Sequence, residues 1–183
     1  MRTLGVILAA TCLATGSAAA QDGDPQHAGF WVGFGLGGGS NLTDGYDDAR
    51  LGGSAYVRLG GTITQRLLVG GEAIGWARTQ NGSTLSQGNV TASVLFYPAR
   101  HGFYLKAGAG FASWSQASSS GNTTTTTAEG GFGATFGGGY DVRLGRNLYL
   151  TPNLDVLFQA VQSDIFTNTT GYLILFTLGL TWH

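Results

Sequence analysis

The stretch "YLILFTLGLTWH", residues 172–183, decides the fold. Tyr172, Ile174, Phe176, Leu178, Leu180 and Trp182 share one parity, and Leu173, Leu175, Thr177, Gly179, Thr181 and His183 share the other. A strand has a side-chain period of two, so the two sets face opposite ways. One face is uniformly large and apolar, while the other becomes small and polar toward its end. Tyr172 and Trp182 lie ten positions apart on the apolar face. At ~3.3 Å per residue and ~45° tilt, they are separated by about 23 Å along a membrane normal. That matches the roughly 25 Å apolar band of a transmembrane barrel, with an aromatic ring at each interface.

Seven further segments alternate in the same way. The clearest is "NVTASVLFY", where Val90, Ala92, Val94 and Phe96 oppose Asn89, Thr91, Ser93, Leu95 and Tyr97. Others start with "GFWVGFGLGGG" at Gly29, "SAYVRLGGTI" at Ser54, "LLVGGEAIGWAR" at Leu67 and "FYLKAGAGFAS" at Phe103. "GFGATFGGGYDV" at Gly131 and "LYLTPNLDVLFQA" at Leu148 complete the set. Arg58, Glu72, Arg78, Lys106, Asp141 and Asp155 all fall on the less apolar parity. This is the distribution of a barrel with a lipid-facing exterior and a polar lumen. A three-residue turn at 64–66 would place Ile63 opposite Leu67 and Arg58 opposite Glu72, where the two charges can bridge.

The connections alternate in length. Short ones cover 64–66, 98–102 and 143–147. Long polar ones carry "SNLTDGYDDARLGG", "TQNGSTLSQG", "SQASSSGNTTTTTAE" and "QSDIFTNTTG". Short turns at one end and four longer loops at the other is the plan of an outer-membrane barrel. The expected fold is therefore all-β: an eight-stranded antiparallel up-and-down transmembrane β-barrel, with both termini on the short-turn side.

Composition agrees. Charged residues make up 10% of the 183-residue chain and there are 32 glycines; roughly 25% charged is usual for soluble domains. A formal net charge of −1 leaves no footprint for nucleic acid. Residues 1–20 have the pattern of a cleaved signal peptide: a basic start, the apolar "LGVILAATCLA" and the small "GSAAA". The single cysteine, Cys12, lies inside that segment, and Thr11 before it argues against a lipidation site. Residues 21–183 then form one cysteine-free barrel domain, which does not depend on disulfides.

These features resemble the small eight-stranded, porin-like outer-membrane barrel proteins of Gram-negative bacteria. The stretches that carry the resemblance are "GFWVGFGLGGG", "LFYPARHGFYLKAGAGF", "FGATFGGGYDVRLGRNLYLTPNLDV" and the terminal "FTLGLTWH". The resemblance covers essentially the whole mature chain. It implies an outer-membrane location and contact with outer-membrane lipid and lipopolysaccharide. It also implies that the C-terminal strand is read by the barrel-assembly machinery and then closes on the first. That family commonly ends on Phe or Trp, whereas here His183 follows Trp182.

The patterns that suggest chemistry are weak. "GFGLGG" (Gly33, Gly35, Gly38) matches a dinucleotide fingerprint, but it sits inside an alternating strand with no helix to follow. Glycines making room in a narrow barrel explain it better. Asp44, Asp47 and Asp48 in "DGYDD" lack the length and terminal Glu of a calcium loop. The inward charges are expected to form a packed ion-pair network filled out by Tyr56, Trp76, Tyr104 and Tyr149, because an eight-stranded lumen is just wide enough for side chains. His27, His101 and His183 fall at strand ends on the periplasmic side, without a serine placed to use them as a base. "SSSGNTTTTT" has the composition of a mobile surface loop. No catalytic, cofactor or metal residues are therefore assigned. The expected role is structural and surface-interacting, as a monomer exposing four extracellular loops. A narrow porin-like channel for small solutes is the alternative, and a lipid-modifying enzyme ranks third.

Overall fold

A computed structural model of the chain describes residues 27, 29–42, 50–120, 123–161 and 169–183. The signal-peptide assignment and the acidic trio Asp44, Asp47 and Asp48 lie outside the described residues. The chain forms β1 (Phe30–Asn41), β2 (Arg50–Thr64), β3 (Leu67–Gln80), β4 (Ser83–Phe96), β5 (Phe103–Ser120), β6 (Thr123–Tyr140), the two-residue β7 (Val142–Arg143), β8 (Leu148–Val161) and β9 (Thr169–Trp182). No helix occurs among the described residues.

Each strand pairs antiparallel with the next. The sheet closes where β9 pairs with β1, from Val32↔Trp182 to Asn41↔Leu173. β7 continues β6 past Asp141, and β8 pairs with both. The barrel therefore has eight staves. Closure leaves no sheet edge, which a spanning sheet requires because an unpaired backbone group in hydrocarbon costs several kcal/mol.

The alternation places side chains as the pattern predicts. Along β9 burial switches at every residue from Gly171 to Leu178. Leu173 and Leu175 are fully enclosed, whereas Phe176 (59%) and Trp182 (60%) face outward. Phe34, Leu36, Leu59, Val90, Leu105, Phe136 and Leu154 extend the same apolar exterior around the barrel.

Three connections differ from the expected ones. The β2–β3 turn holds only Gln65 and Arg66, with Thr64 opposite Leu67 and a bulge between Thr62 and Thr64. Ile63 is thus the extra residue, and the register that sets Arg58 opposite Glu72 is kept. The 79–88 "loop" is a tight hairpin: Gln80 pairs with Ser83 across Asn81 (φ 50) and Gly82 (φ 76). Two consecutive positive φ values in Asn-Gly are the signature of a type I′ turn, whose twist matches paired strands. Finally, the Ser/Thr-rich run forms strand. β5 and β6 stay in register from Phe103↔Tyr140 to Ser120↔Thr123. Thr is a good strand former, and pairing satisfies the backbone at the outer end of the hairpin.

Candidate functional site

The lumen is filled in layers. On the extracellular side Tyr56, Ile74, Trp76, Leu157, Leu173 and Leu175 form one buried apolar cluster. Trp31, Leu68, Leu95, Tyr97 and Tyr104 form a second on the periplasmic side. Between them lies an ionic layer. Lys106 Nζ is 2.6 Å from Glu72 Oε2 and 2.9 Å from Asp155 Oδ1, with all three side chains buried. Lys106 comes from β5, Glu72 from β3 and Asp155 from β8, so the pairs cross the lumen rather than run along the wall. Burial of an ion costs several kcal/mol, which only close pairing of this kind offsets.

Arg58 does not bridge to Glu72 as its register suggested. Its guanidinium donates to Tyr104 Oη (2.7 Å), Asn153 Oδ1 (3.3 Å) and Thr181 Oγ1 (3.4 Å). It also lies 4.9 Å from the centre of the Tyr56 ring and 5.2 Å from that of Tyr104. Lys106 has taken Glu72 because it reaches that carboxylate with both oxygens in range, at 2.8 and 2.6 Å. Tyr104 in turn donates to Asn153 Oδ1. Asn89 and Gln159 extend the polar network to the Gly88, Ala134 and Phe158 carbonyls. Arg78, the sixth charge on this parity, is half-buried nearer the extracellular end.

The glycines of "GFGLGG" make room for these groups. A methyl at Gly33 would lie 3.0 Å from Arg58 Nε and 3.1 Å from Thr181 Oγ1, and one at Gly35 would meet the Tyr56 ring at 2.5 Å. β1 is paired on both sides along this run, which excludes the strand-to-helix turn of a nucleotide site.

Sequence reasoning did not bring two of the histidines together. His27 lies just before β1, Asp141 between β6 and β7, and His183 just after β9; all three are buried at the periplasmic mouth. One potential ligand atom from each lies within 4.8 Å of the others. The His27 and His183 ring centres are 4.5 Å apart, and His183 Nε2 is 3.8 Å from Asp141 Oδ2. Asp141 accepts hydrogen bonds from Tyr97 Oη and Thr151 Oγ1, both at 2.7 Å. His27 Nδ1 is 3.2 Å from the Gln65 carbonyl, which can only accept, so Nδ1 carries the proton and Nε2 is left with its lone pair. Burial is the main cause holding the His27 imidazole below its ordinary pKa, which keeps it neutral at neutral pH. His101 stays exposed in the 97–102 connection. The sequence signal went only as far as direction: His183 shares the inward parity of Thr181, and Asp141 that of Thr135.

No family model matches the chain, and no curated protein matches it either. Solved structures do. Ail, the attachment invasion locus protein of Yersinia pestis, superposes with a TM-score of 0.62 at 12% identity, covering 86% of this chain and 100% of that one. Neisserial surface protein A gives 0.61 at 14% identity, over 85% and 97%. The N-terminal β-barrel domain of Pseudomonas aeruginosa OprF gives 0.51 at 13%, over 86% and 100%. At these identities the likeness is one of fold. Together with the closed eight-stave sheet, the enclosed polar lumen and the apolar exterior, it gives the chain the fold of the small eight-stranded outer-membrane β-barrels.

Proposed function

We propose that this barrel is a non-conducting, non-catalytic surface protein whose membrane-embedded staves present extracellular hairpins to lipopolysaccharide and to the cell's surroundings. The observation that carries this reading is the layered lumen, in which the Lys106–Glu72–Asp155 layer is capped on both sides by buried aromatic and aliphatic clusters. The Ser/Thr-rich β5–β6 hairpin supports it by offering a paired polar strand surface. Two of the matching structures are, by name, an attachment protein and a surface protein. The barrel acts as a monomer, and β9 is the strand that engages the assembly machinery before it closes on β1.

Single-channel recording in a planar bilayer tests this reading. The expected result is no stable conductance. A stable conductance whose ion selectivity changes in Arg58→Ala or Glu72→Ala would replace it with the narrow-channel reading, because both residues would then line the water path.

A further inference from the structure

We propose that His27, Asp141 and His183 form a binding site for one divalent first-row transition-metal ion of the zinc type, which locks the periplasmic mouth of the barrel. Two imidazoles and a carboxylate are a donor set that such ions favour and that hard cations such as magnesium and calcium do not. Zinc bonds of about 2.0–2.1 Å in a tetrahedron put ligand atoms roughly 3.3 Å apart. The Nε2–Oδ2 pair of His183 and Asp141 is already at 3.8 Å, and the full set lies within 4.8 Å. Side-chain adjustments of about 1 Å therefore complete the site, with a fourth position left for water.

Two independent observations point to an ion. The first concerns His183, whose side chain is 4% exposed. Neither of its ring nitrogens has a hydrogen-bond partner among the described residues, although both are buried. A buried polar atom left without a partner loses the hydrogen bonds it made with water, and a metal bond removes that cost for the ligating nitrogen. The second is the outer shell, which is already built as metal sites build it. His27 gives its Nδ1–H to a backbone carbonyl, and the Asp141 carboxylate is held by Tyr97 and Thr151. A carboxylate has about four acceptor directions, so these two hydrogen bonds, from Tyr97 to Oδ2 and from Thr151 to Oδ1, leave each oxygen one further direction in which to ligate.

The topology gives the ion a purpose. It would tie the segment before β1 and the end of β9 to the β6–β7 corner, fastening the β1–β9 seam at its periplasmic end. The alternative is that these rings serve only as an aromatic plug, through the His27–Tyr97 (4.2 Å) and His183–Tyr149 (5.2 Å) contacts.

The experiment uses the full chain folded in detergent micelles, stripped with a chelator and titrated calorimetrically with zinc chloride; cobalt(II) absorption reads the geometry. The expected result is saturable uptake of one ion per chain, a tetrahedral cobalt spectrum and a higher temperature for loss of the SDS-resistant band. His27→Gln and His183→Gln should each weaken binding at least tenfold, while His101→Gln should not. Should the variants fail to fold, ring resonances of the unaltered protein decide: zinc must move those of His27 and His183 and leave His101 in place. No saturable uptake, uptake that survives both substitutions, or zinc shifts at His101 alone would overturn the proposal.

Discussion

The residue that organises the lumen is Lys106, because one ammonium serves two buried carboxylates. Lys106→Met removes the shared cation and strands both Glu72 and Asp155. Breaking a buried pair in this way costs about 3–5 kcal/mol, so denaturant unfolding in micelles should show a loss of at least that size. Gly137 is coupled to the same layer. A Cβ there would strike Asp155 Oδ1 and sit 2.6 Å from the Leu154 carbonyl, so the carboxylate that pairs with Lys106 would have to move. Gly137→Ala should therefore destabilise by about 1–3 kcal/mol, as overpacking does. Gly71 is the contrast, because it faces outward and nothing lies within 4 Å of an added methyl. Gly71→Ala should be neutral or stabilise by up to about 1 kcal/mol through the unfolded chain. The same unfolding titration reads both.

At the scale of elements, the two extracellular hairpins among the described residues, β3–β4 and β5–β6, are more strand than loop. The Asn81–Gly82 turn needs Gly82 at φ +76, a region that costs other residues roughly 1–2 kcal/mol. Gly82→Ala should lower barrel stability by about that amount and leave the strand register intact, which thermal unfolding with a heat-shift gel can check. In the β5–β6 hairpin, the backbone of 115–120 is paired with 123–128. Its amides should exchange with solvent more slowly than those of a free polar loop, a difference that hydrogen exchange measures directly. Exchange as fast as in an unstructured peptide would return the Ser/Thr run to the status of a loop. Its composition did not reveal the strand because Thr serves equally well in polar linkers and in exposed strands. What separates the two is a partner in register, and that lies across the turn.

For the whole molecule, the outer surface states the solvent. Phe176 lies near the middle of the apolar span on β9, four positions from Tyr172 and six from Trp182, and it is 59% exposed. Such a surface is stable only against lipid or detergent. Phe176→Arg should cost about 2–4 kcal/mol in a bilayer, as a cation near the midplane of a barrel exterior does. Reversible denaturant titration into vesicles measures that cost. The native barrel should also resist SDS when unheated and migrate faster than the boiled chain, because its closed hydrogen-bond ladder has no edge at which to open.

The sequence by itself determined the fold class, the eight staves and the inward and outward parity of each. All of these follow from a period of two repeated between turn signals, and the local pattern carries that information. It also placed Glu72, Lys106, Asp155 and Arg58 in the lumen. Only the tertiary structure decided which charge meets which. Lys106 takes both carboxylates, and Arg58 is left to tyrosine, asparagine and threonine oxygens, because those partners reach across the lumen from staves far apart in the chain. The meeting of His27, Asp141 and His183 is of the same kind. Each sits at a different strand end, and closing the barrel brings those ends to one mouth, a distance that no spacing along the chain encodes.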